Sequence, residues 1–223
     1  MKATAVAHPI QGLIKYHGLA DPFLRLPYHD SISVCTAPLT SRTTLEFGGL
    51  PKDVAVIDGQ PVTAHDMERI RSVVDVVRAR AGIRDRFRME SVNDFPSNVG
   101  LGASASGFAA LALAATRAAG LELDLQAISR IARRGAGSAA RAVTGAFSKW
   151  KMGVADEDSY SVQLAAQDLQ IAMIVALVPA FKQTENAHRE AVTSPFFHAR
   201  LAEMPRMLME MELAIRTDRK SVV

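Results

Sequence analysis

A single cysteine, Cys35, stands in 223 residues. That excludes an internal disulfide and suits a reducing cytoplasm. It falls in an apolar, strand-like run, so a buried structural thiol is expected there rather than a nucleophile. The first residues lack the charged start, apolar stretch and small-residue cleavage site of a secretory signal. No apolar run reaches bilayer length. The longest, Ile171 to Ala180, is too short to span and reads as a buried strand, so no membrane partner is expected. Basic residues are scattered, without a Lys/Arg block or interleaved aromatics, and the net charge is only +3. This excludes a nucleic-acid stripe and leaves a mild preference for anionic ligands. The strongly acidic balance of salt-adapted proteins is missing too. Neither His nor Cys recurs at metal-ligand spacing, and no internal repeat or low-complexity segment exists.

What is present fits one generous domain, or one and a half, of ordinary globular composition, 48% hydrophobic. Strands are predicted over Lys2–His8, Asp30–Thr36, Thr43–Phe47, Val54–Ile57 and Phe87–Val92. Asp58-Gly59 behind the fourth of these is a type I′ hairpin signal. His65–Ala81 spaces Met67, Ile70, Val73, Val74 and Val77 at helical intervals and places Gly82 as a C-cap. A helix is predicted from Phe108 to Ala119. Another, capped by Asp124, carries Leu125, Ile128, Ile131 and Ala132. A break over Gly135–Ser138 precedes a short helix at Ala139–Val143 and a strand at Ala146–Met152. Gln163–Asp168 reads as transitional and Ile171–Val178 as a strand. Ser194–Ile215 reads as an amphipathic helix whose Met204, Met207 and Met211 belong to the core. The order is α+β, with antiparallel strands ahead of the central loop; it is not doubly wound α/β.

That loop, Pro96 to Gly107, carries the chemistry. Gly100 and Gly102, with small neighbours, let backbone approach a ligand closely. The helix behind them presents unpaired N–H groups and a positive dipole end, which together form a phosphate cradle. Ser104 and Ser106 can add hydroxyls to phosphate oxygens or to a bound Mg²⁺, with Ser104 the metal-side candidate. Neither the dinucleotide fingerprint nor the Walker sequence is present.

The order Pro96, Gly100, Leu101, Gly102, Ala103, Ser104, Ala105, Ser106 resembles the Pro-x-x-x-Gly-Leu-Gly/Ala-Ser-Ser signature of the GHMP kinases. One family serine falls on Ala103 and the next is kept as Ser104. Three further segments resemble the mevalonate (di)phosphate decarboxylases within that superfamily. Ile14-Lys15-Tyr16-His17-Gly18 is similar to their Lys-Tyr-Trp-Gly-Lys. Asn93-Asp94-Phe95-Pro96, continuing through Gly107 to Leu111, is similar to Asn-Asn-Phe-Pro ahead of the cradle. Ile131 to Arg141, with Gly145-Ala146-Phe147 and Trp150, is similar to Ala-Arg-x-Gly-Ser-Gly-Ser-Ala-Cys-Arg-Ser with its Gly-Gly-Phe and Trp. Thr193-Ser194-Pro195 matches a further Thr-Ser-Pro.

The resemblance implies an N-terminal domain like the second domain of ribosomal protein S5 over residues 1–168, binding ATP and substrate. It implies the start of a ferredoxin-like domain over 169–217, too short to be whole. Residues 218–223 read as the translation of a common sequencing adapter, so a truncated chain is expected. The implied reaction is ATP-dependent phosphorylation of a tertiary 3-hydroxyl followed by loss of phosphate and CO₂. ATP and Mg²⁺ are the implied cofactors, a phosphorylated mevalonate the partner, the cytoplasm the location, and a homodimer the plausible assembly. Arg141 is implied for the carboxylate or a nearby phosphate, Ser138 for the carboxylate, Lys15 and Tyr16 for the substrate or the ATP phosphates, and His17, His188 and Arg189 for the phosphate end of the substrate. The family's catalytic aspartate falls beyond Thr217, so this chain alone is expected to be inactive.

Several departures bear on the substrate. The second lysine of Lys-Tyr-Trp-Gly-Lys is Leu19, its tryptophan is His17, a serine is Ala136, and an arginine before Thr193 is His188 with Arg189 beside it. Cations are thus removed from the end that grips a diphosphate. Gln11–Gly18 and Leu26–Ser33 are also similar to the phosphomevalonate decarboxylases of some archaea and Chloroflexi, in which case His17 and His29 would face the 5-phosphate. The expected substrate is the monophosphate. The diphosphate enzyme and a mevalonate 3-kinase are the alternatives.

Overall fold

The computed structural model describes residues 1–97, 99–164, 171–176, 184–217 and 219, with the backbone alone over 184–187. The chain opens with β1 (Lys2–Ala7), β2 (Ile10–Ile14), a short pair β3 (Leu19–Asp21) and β4 (Leu26–Pro27), and β5 (Ser31–Cys35). It continues through β6 (Ser41–Gly48), β7 (Val54–Ile57), β8 (Gln60–Pro61), α1 (Ala64–Ala81) and β9 (Arg86–Asn93). Three helices follow, α2 (Ala103–Ala118), α3 (Leu125–Gly135) and α4 (Ala139–Thr144). Then come β10 (Phe147–Trp150), β11 (Ser161–Gln163), α5 (Thr184–Val192) and α6 (Phe197–Arg216).

One sheet has the order β1-β6-β9-β7-β8 and is antiparallel except where β7 runs parallel to β9. Its inner face follows strict alternation: Leu45 and Phe47 on β6, and Phe87 and Met89 on β9, turn inward. Ile70, Val73, Val74 and Val77 of α1 and the alanine-rich face of α2 close over it as one core. Alanines bring the helices near each other. At Gly135 of α3 a Cβ would collide with the Phe108 ring of α2. The second sheet, β11-β10-β5-β2, buries Ile14, Ile32, Val34 and Phe147 against Met204, Leu208 and Ile215 of α6.

Most predicted elements are found close to their expected bounds. Asp58 and Gly59 both take positive φ, at 50° and 77°, as a type I′ turn requires. Gly82 ends α1 in the left-handed region, and Asp124 caps α3 by accepting from Ala127 N at 2.7 Å. Met204 is buried, with Met207 and Met211 packed against the same core. Other expectations are corrected. The central helix begins at Ala103, not Phe108, so the cradle serines lie inside its first turns. Cys35 closes β5 half-buried. Residues 171–176 form no strand and are exposed. An apolar run becomes a strand only where a sheet edge accepts it, and both sheets end on other segments. The expected domain boundary near Leu169 and the adapter-like tail, Arg219 apart, lie outside the described residues.

Candidate functional site

The cradle sits where β9, the loop after it and the start of α2 meet. Gly100 and Gly102 hold φ of 83° and 87°, the left-handed conformation that favours glycine. At Gly102 a Cβ would also lie 3.0 Å from the Ile10 carbonyl oxygen. No side chain caps α2 and no acid stands in its first turn; Ala105 N and Ser106 N donate to the Gly102 carbonyl, and the N–H groups of Ala103 and Ser104 ahead of them face the cradle end of the helix. Pro96 is exposed, Leu101 and Ala103 are half-buried, and Ala105 packs inward. Ser104 is exposed at the mouth. Ser106 is fully buried, its hydroxyl bonded to Ser41 Oγ at 2.7 Å and to the Ala103 carbonyl.

Beside the cradle opens a cavity of about 380 Å³ between the β7–β8 hairpin, α1 and α2. Ile57, Val62, Met89, Phe108 and Leu111 give it apolar walls, and Asp58, Asn93 and Ser97 line one side. Asp58 accepts from Asn93 N at 2.8 Å and from Asn93 Nδ2 at 3.0 Å, fixing hairpin to loop. A flat, partly polar group continuing from phosphates in the cradle has room here.

On α4, which packs against α2, Arg141 is buried, 2% exposed. Its Nε donates to Ser33 Oγ at 3.0 Å and its Nη1 to Ser31 Oγ. The two serines share one face of β5 because they are two residues apart. Among the described residues no carboxylate pairs with this arginine. Its guanidinium carbon lies 5.7 Å from the centre of the Tyr16 ring and 5.9 Å from that of Trp150. Burial pushes Arg141 down to about 10, which leaves it charged at neutral pH. A buried cation held by hydroxyls alone invites an anion.

Tyr16 closes this corner. Burial raises its phenol, outweighing the charges of Arg141, Arg25 and Arg69 and a hydrogen bond with the Ser138 backbone, so it stays neutral. Gly137 admits it: a Cβ there would stand 2.7 Å from the Tyr16 hydroxyl and 2.8 Å from the Trp150 ring. Ser138, half-buried, precedes α4 and leads to Arg141. On the other side the His188 ring stacks on Tyr16 at 4.6 Å. His188 Nδ1 accepts from Gly18 N at 3.3 Å. Lys15 is exposed and His17 half-buried. Burial, then the charge of Arg200, lowers the His17 imidazole. Arg189 is exposed one residue on from the stack.

Of the residues singled out from sequence, Tyr16, Ser138, Arg141 and His188 share one corner, with Lys15 and His17 on its rim. The glycines, Ala103 and Ser104 form the cradle, while the Ser106 hydroxyl is taken up in packing. Three participants escaped sequence reading. Ser31 and Ser33 hold Arg141; their alternation on a predicted strand was the available signal. Arg69 lines the cavity, donates to the Gly135 carbonyl at 3.0 Å, lies 4.7 Å over Phe108, and its charge reaches Tyr16. It therefore stands between cradle and corner. In the sequence it is one of several arginines on α1 and nothing marks it.

The diphosphomevalonate decarboxylase-like N-terminal domain family matches residues 7–161. The phosphomevalonate decarboxylase of Haloferax volcanii is 52% identical over 218 residues, 96% of this chain and 67% of that protein. The diphosphomevalonate decarboxylase of Eremothecium gossypii is 31% identical over 226 residues, covering 91% and 57%. The solved mevalonate diphosphate decarboxylase of Enterococcus faecalis superposes with a TM-score of 0.87 at 30% identity, over 98% of this chain and 68% of that one. A solved complex with MVAPP, AMPPCP and magnesium superposes with a TM-score of 0.85 at 29% identity, covering 98% and 69%. The chain thus spans between 57% and 69% of the lengths of these relatives. No helix among the described residues is long and apolar enough to cross a membrane.

Proposed function

We propose that this chain, which belongs to the diphosphomevalonate decarboxylase-like family, carries the nucleotide cradle and substrate corner of an ATP-dependent decarboxylase of mevalonate 5-phosphate in isoprenoid synthesis. One observation carries the reading: a charged, buried arginine held by serine hydroxyls, without a carboxylate partner among the described residues. Arg141 takes the substrate carboxylate through its planar fork, and Ser138 donates to the same group. Tyr16, kept neutral by burial, donates from its hydroxyl beside them, and Lys15, His17, His188 and Arg189 face the phosphate end.

The cradle fits a nucleoside triphosphate with Mg²⁺: uncapped N–H groups, left-handed glycines and the exposed Ser104 hydroxyl meet phosphate oxygens or the ion. The adjoining cavity takes the base. When bound, ATP supplies the phosphoryl group that makes the 3-hydroxyl of the substrate a good leaving group. Arg69 lies along the path between the two sites and stabilises negative charge there. The buried, dry setting of Arg141 holds the carboxylate in place until the leaving group departs, and CO₂ follows.

The monophosphate is favoured over the diphosphate by Leu19, which stands where the resembling sequences carry a second lysine. The higher identity to the Haloferax enzyme agrees. The test gives the full-length enzyme ATP with mevalonate, mevalonate 5-phosphate or the 5-diphosphate and follows ADP and CO₂. Both products from the monophosphate support the reading. ADP without CO₂ points to a kinase, and a preference for the diphosphate defeats the choice of substrate.

A further inference from the structure

Arg130, Arg133 and Arg134 of α3 converge on one carboxylate, Asp156, in the loop between β10 and β11. Their spacing puts them on one face of the helix. Arg130 Nη2 donates to Asp156 Oδ2 at 2.9 Å and Arg133 Nη2 donates to Oδ1, so each oxygen holds one guanidinium. Burial would raise the Asp156 carboxyl, but Arg130 and Arg133 outweigh it and hold it below its ordinary value. Arg133 and Arg134 stand in the last turn of α3, where a cation suits the helix dipole. A surface cation would serve the dipole as well, yet Arg133 is fully buried. Burial brings it down to about 10, so it stays charged at neutral pH. Apolar packing of the same volume often stabilises a fold as much as a buried ion pair does. What such packing would not supply is the geometry that the pair fixes.

Ser159 carries that geometry to the substrate corner. Its carbonyl accepts from Arg133 Nη1 at 2.5 Å, and its hydroxyl donates to the Lys151 carbonyl at 3.1 Å. A serine hydroxyl has one hydrogen, so Ser159 Oγ meets its other partner as an acceptor. That partner is Trp150 Nε1, which only donates, at 3.0 Å. The same hairpin is pinned to α3 a second time, where Ser161 N donates to Ser129 Oγ at 3.0 Å. Trp150 is the one tryptophan of the chain and is fully buried. Its ring meets the Tyr16 ring edge-on at 4.9 Å and 82°. The Arg141 guanidinium carbon lies over both rings, at 5.9 Å and 5.7 Å from their centres. Direct contacts therefore run from half-buried Asp156 to Arg141.

We propose that the Arg133–Asp156 pair is a positioning element of the substrate corner: through Ser159 it holds the Trp150 and Tyr16 rings against Arg141 and so orients the guanidinium for the substrate carboxylate. The proposal rests on the reading of Arg141 given above and extends it to residues that touch no ligand. The need for such an element is physical. Arginine is a long, flexible side chain, and the serine hydroxyls of β5 hold its fork from one side only, at Nε and Nη1. The two rings bound it from another. A planar fork recognises a carboxylate only when both are correctly turned, so a ring that shifts takes affinity with it. The loop thus governs the corner at a distance, by keeping one indole in place.

The experiment is titration calorimetry of the 223-residue chain with mevalonate 5-phosphate, joined to the emission spectrum of its single tryptophan. The proteins are the wild type, Asp156→Asn, Ser159→Ala, Arg141→Ala and the double variant Arg141→Ala/Ser159→Ala. Asp156→Asn should shift the Trp150 emission although it does not touch the indole. Asp156→Asn and Ser159→Ala should each weaken binding about tenfold, short of the roughly hundredfold that an ångström of misplacement can cost. In the Arg141→Ala background, Ser159→Ala should cost about twofold at most, because the group it orients is gone. A loop with a structural role alone would lower affinity equally in both backgrounds. Ser159→Ala leaves the ion pair intact and decides the matter if Asp156→Asn does not fold. Equal losses in the two backgrounds, wild-type affinity in folded Ser159→Ala, or unchanged emission in folded Asp156→Asn overturns the positioning element while leaving the role of Arg141 standing. A wild type that does not bind mevalonate 5-phosphate overturns the proposed function and the positioning element together.

Discussion

The His188 ring lies flat on the Tyr16 ring, 4.6 Å between centroids and 14° from parallel. Through this contact α5 covers the corner that holds Arg141. Gly18 fits beneath it because a Cβ there would run into Val192 of α5. A stacked pair of this kind contributes about 0.5–1.5 kcal/mol beyond its buried area. A double-mutant cycle of His188→Ala and Tyr16→Leu, followed by urea unfolding, should return a coupling of that size. Additive effects would mean that α5 does not rest on Tyr16.

Gly102 is the cradle position least able to change. Its φ of 87° and the 3.0 Å approach to the Ile10 carbonyl both oppose a side chain. Gly102→Ala should lower stability by about 1–2 kcal/mol and weaken a non-hydrolysable ATP analogue more than it weakens mevalonate 5-phosphate. Thermal unfolding and calorimetry measure the two effects. Equal loss for both ligands would show that the cradle is not a nucleotide site.

Asp53 links the first sheet to α1. Burial alone would raise its carboxyl, but Arg78 at 2.6 Å, Arg71 at 2.9 Å and the Phe87 N–H outweigh burial and hold it below its ordinary 3.8. A carboxyl depressed in the folded state stabilises the fold above its unfolded pKa, and that contribution fades as pH falls through the folded value. Asp53→Asn should therefore cost about 3 kcal/mol near neutrality and progressively less below about pH 4. Urea unfolding of both proteins across that range checks it; a difference independent of pH would contradict it.

Leu19 bears on substrate choice. Leu19→Lys restores a cation at the phosphate end, and the affinity ratio of mevalonate 5-diphosphate to 5-phosphate should rise by about tenfold. An unchanged ratio would show that Leu19 does not face that end.

Local signals proved legible wherever a backbone requirement was written into one residue. Asp58-Gly59, Gly82 and Asp124 were readable because turn and cap geometry admits few side chains. The alternation on β6 and β9 and the spacing on α1 were readable because one face of each is buried. β2 was not, since Gly12 interrupts an edge strand with half-exposed neighbours. The early start of α2 was hidden by Ser and Gly, weak helix formers whose conformation there is fixed by packing. Residues 171–176 have a strand-like composition, but composition does not say whether a sheet edge is at hand. In the site, Tyr16 and Arg141 emerged from motifs, whereas Arg69 acquires meaning only from what folding sets beside it.

The most direct measurement is the affinity of mevalonate 5-phosphate for the wild type, Arg141→Ala and Arg141→Lys. Loss of a buried charge-assisted pair at the carboxylate is worth roughly 3 kcal/mol. Arg141→Ala should therefore bind at least about a hundredfold more weakly. Arg141→Lys should recover only part, because a point charge cannot reproduce the planar fork. If folded Arg141→Ala binds the ligand as tightly as the wild type, the buried arginine is not the carboxylate site and the central claim fails.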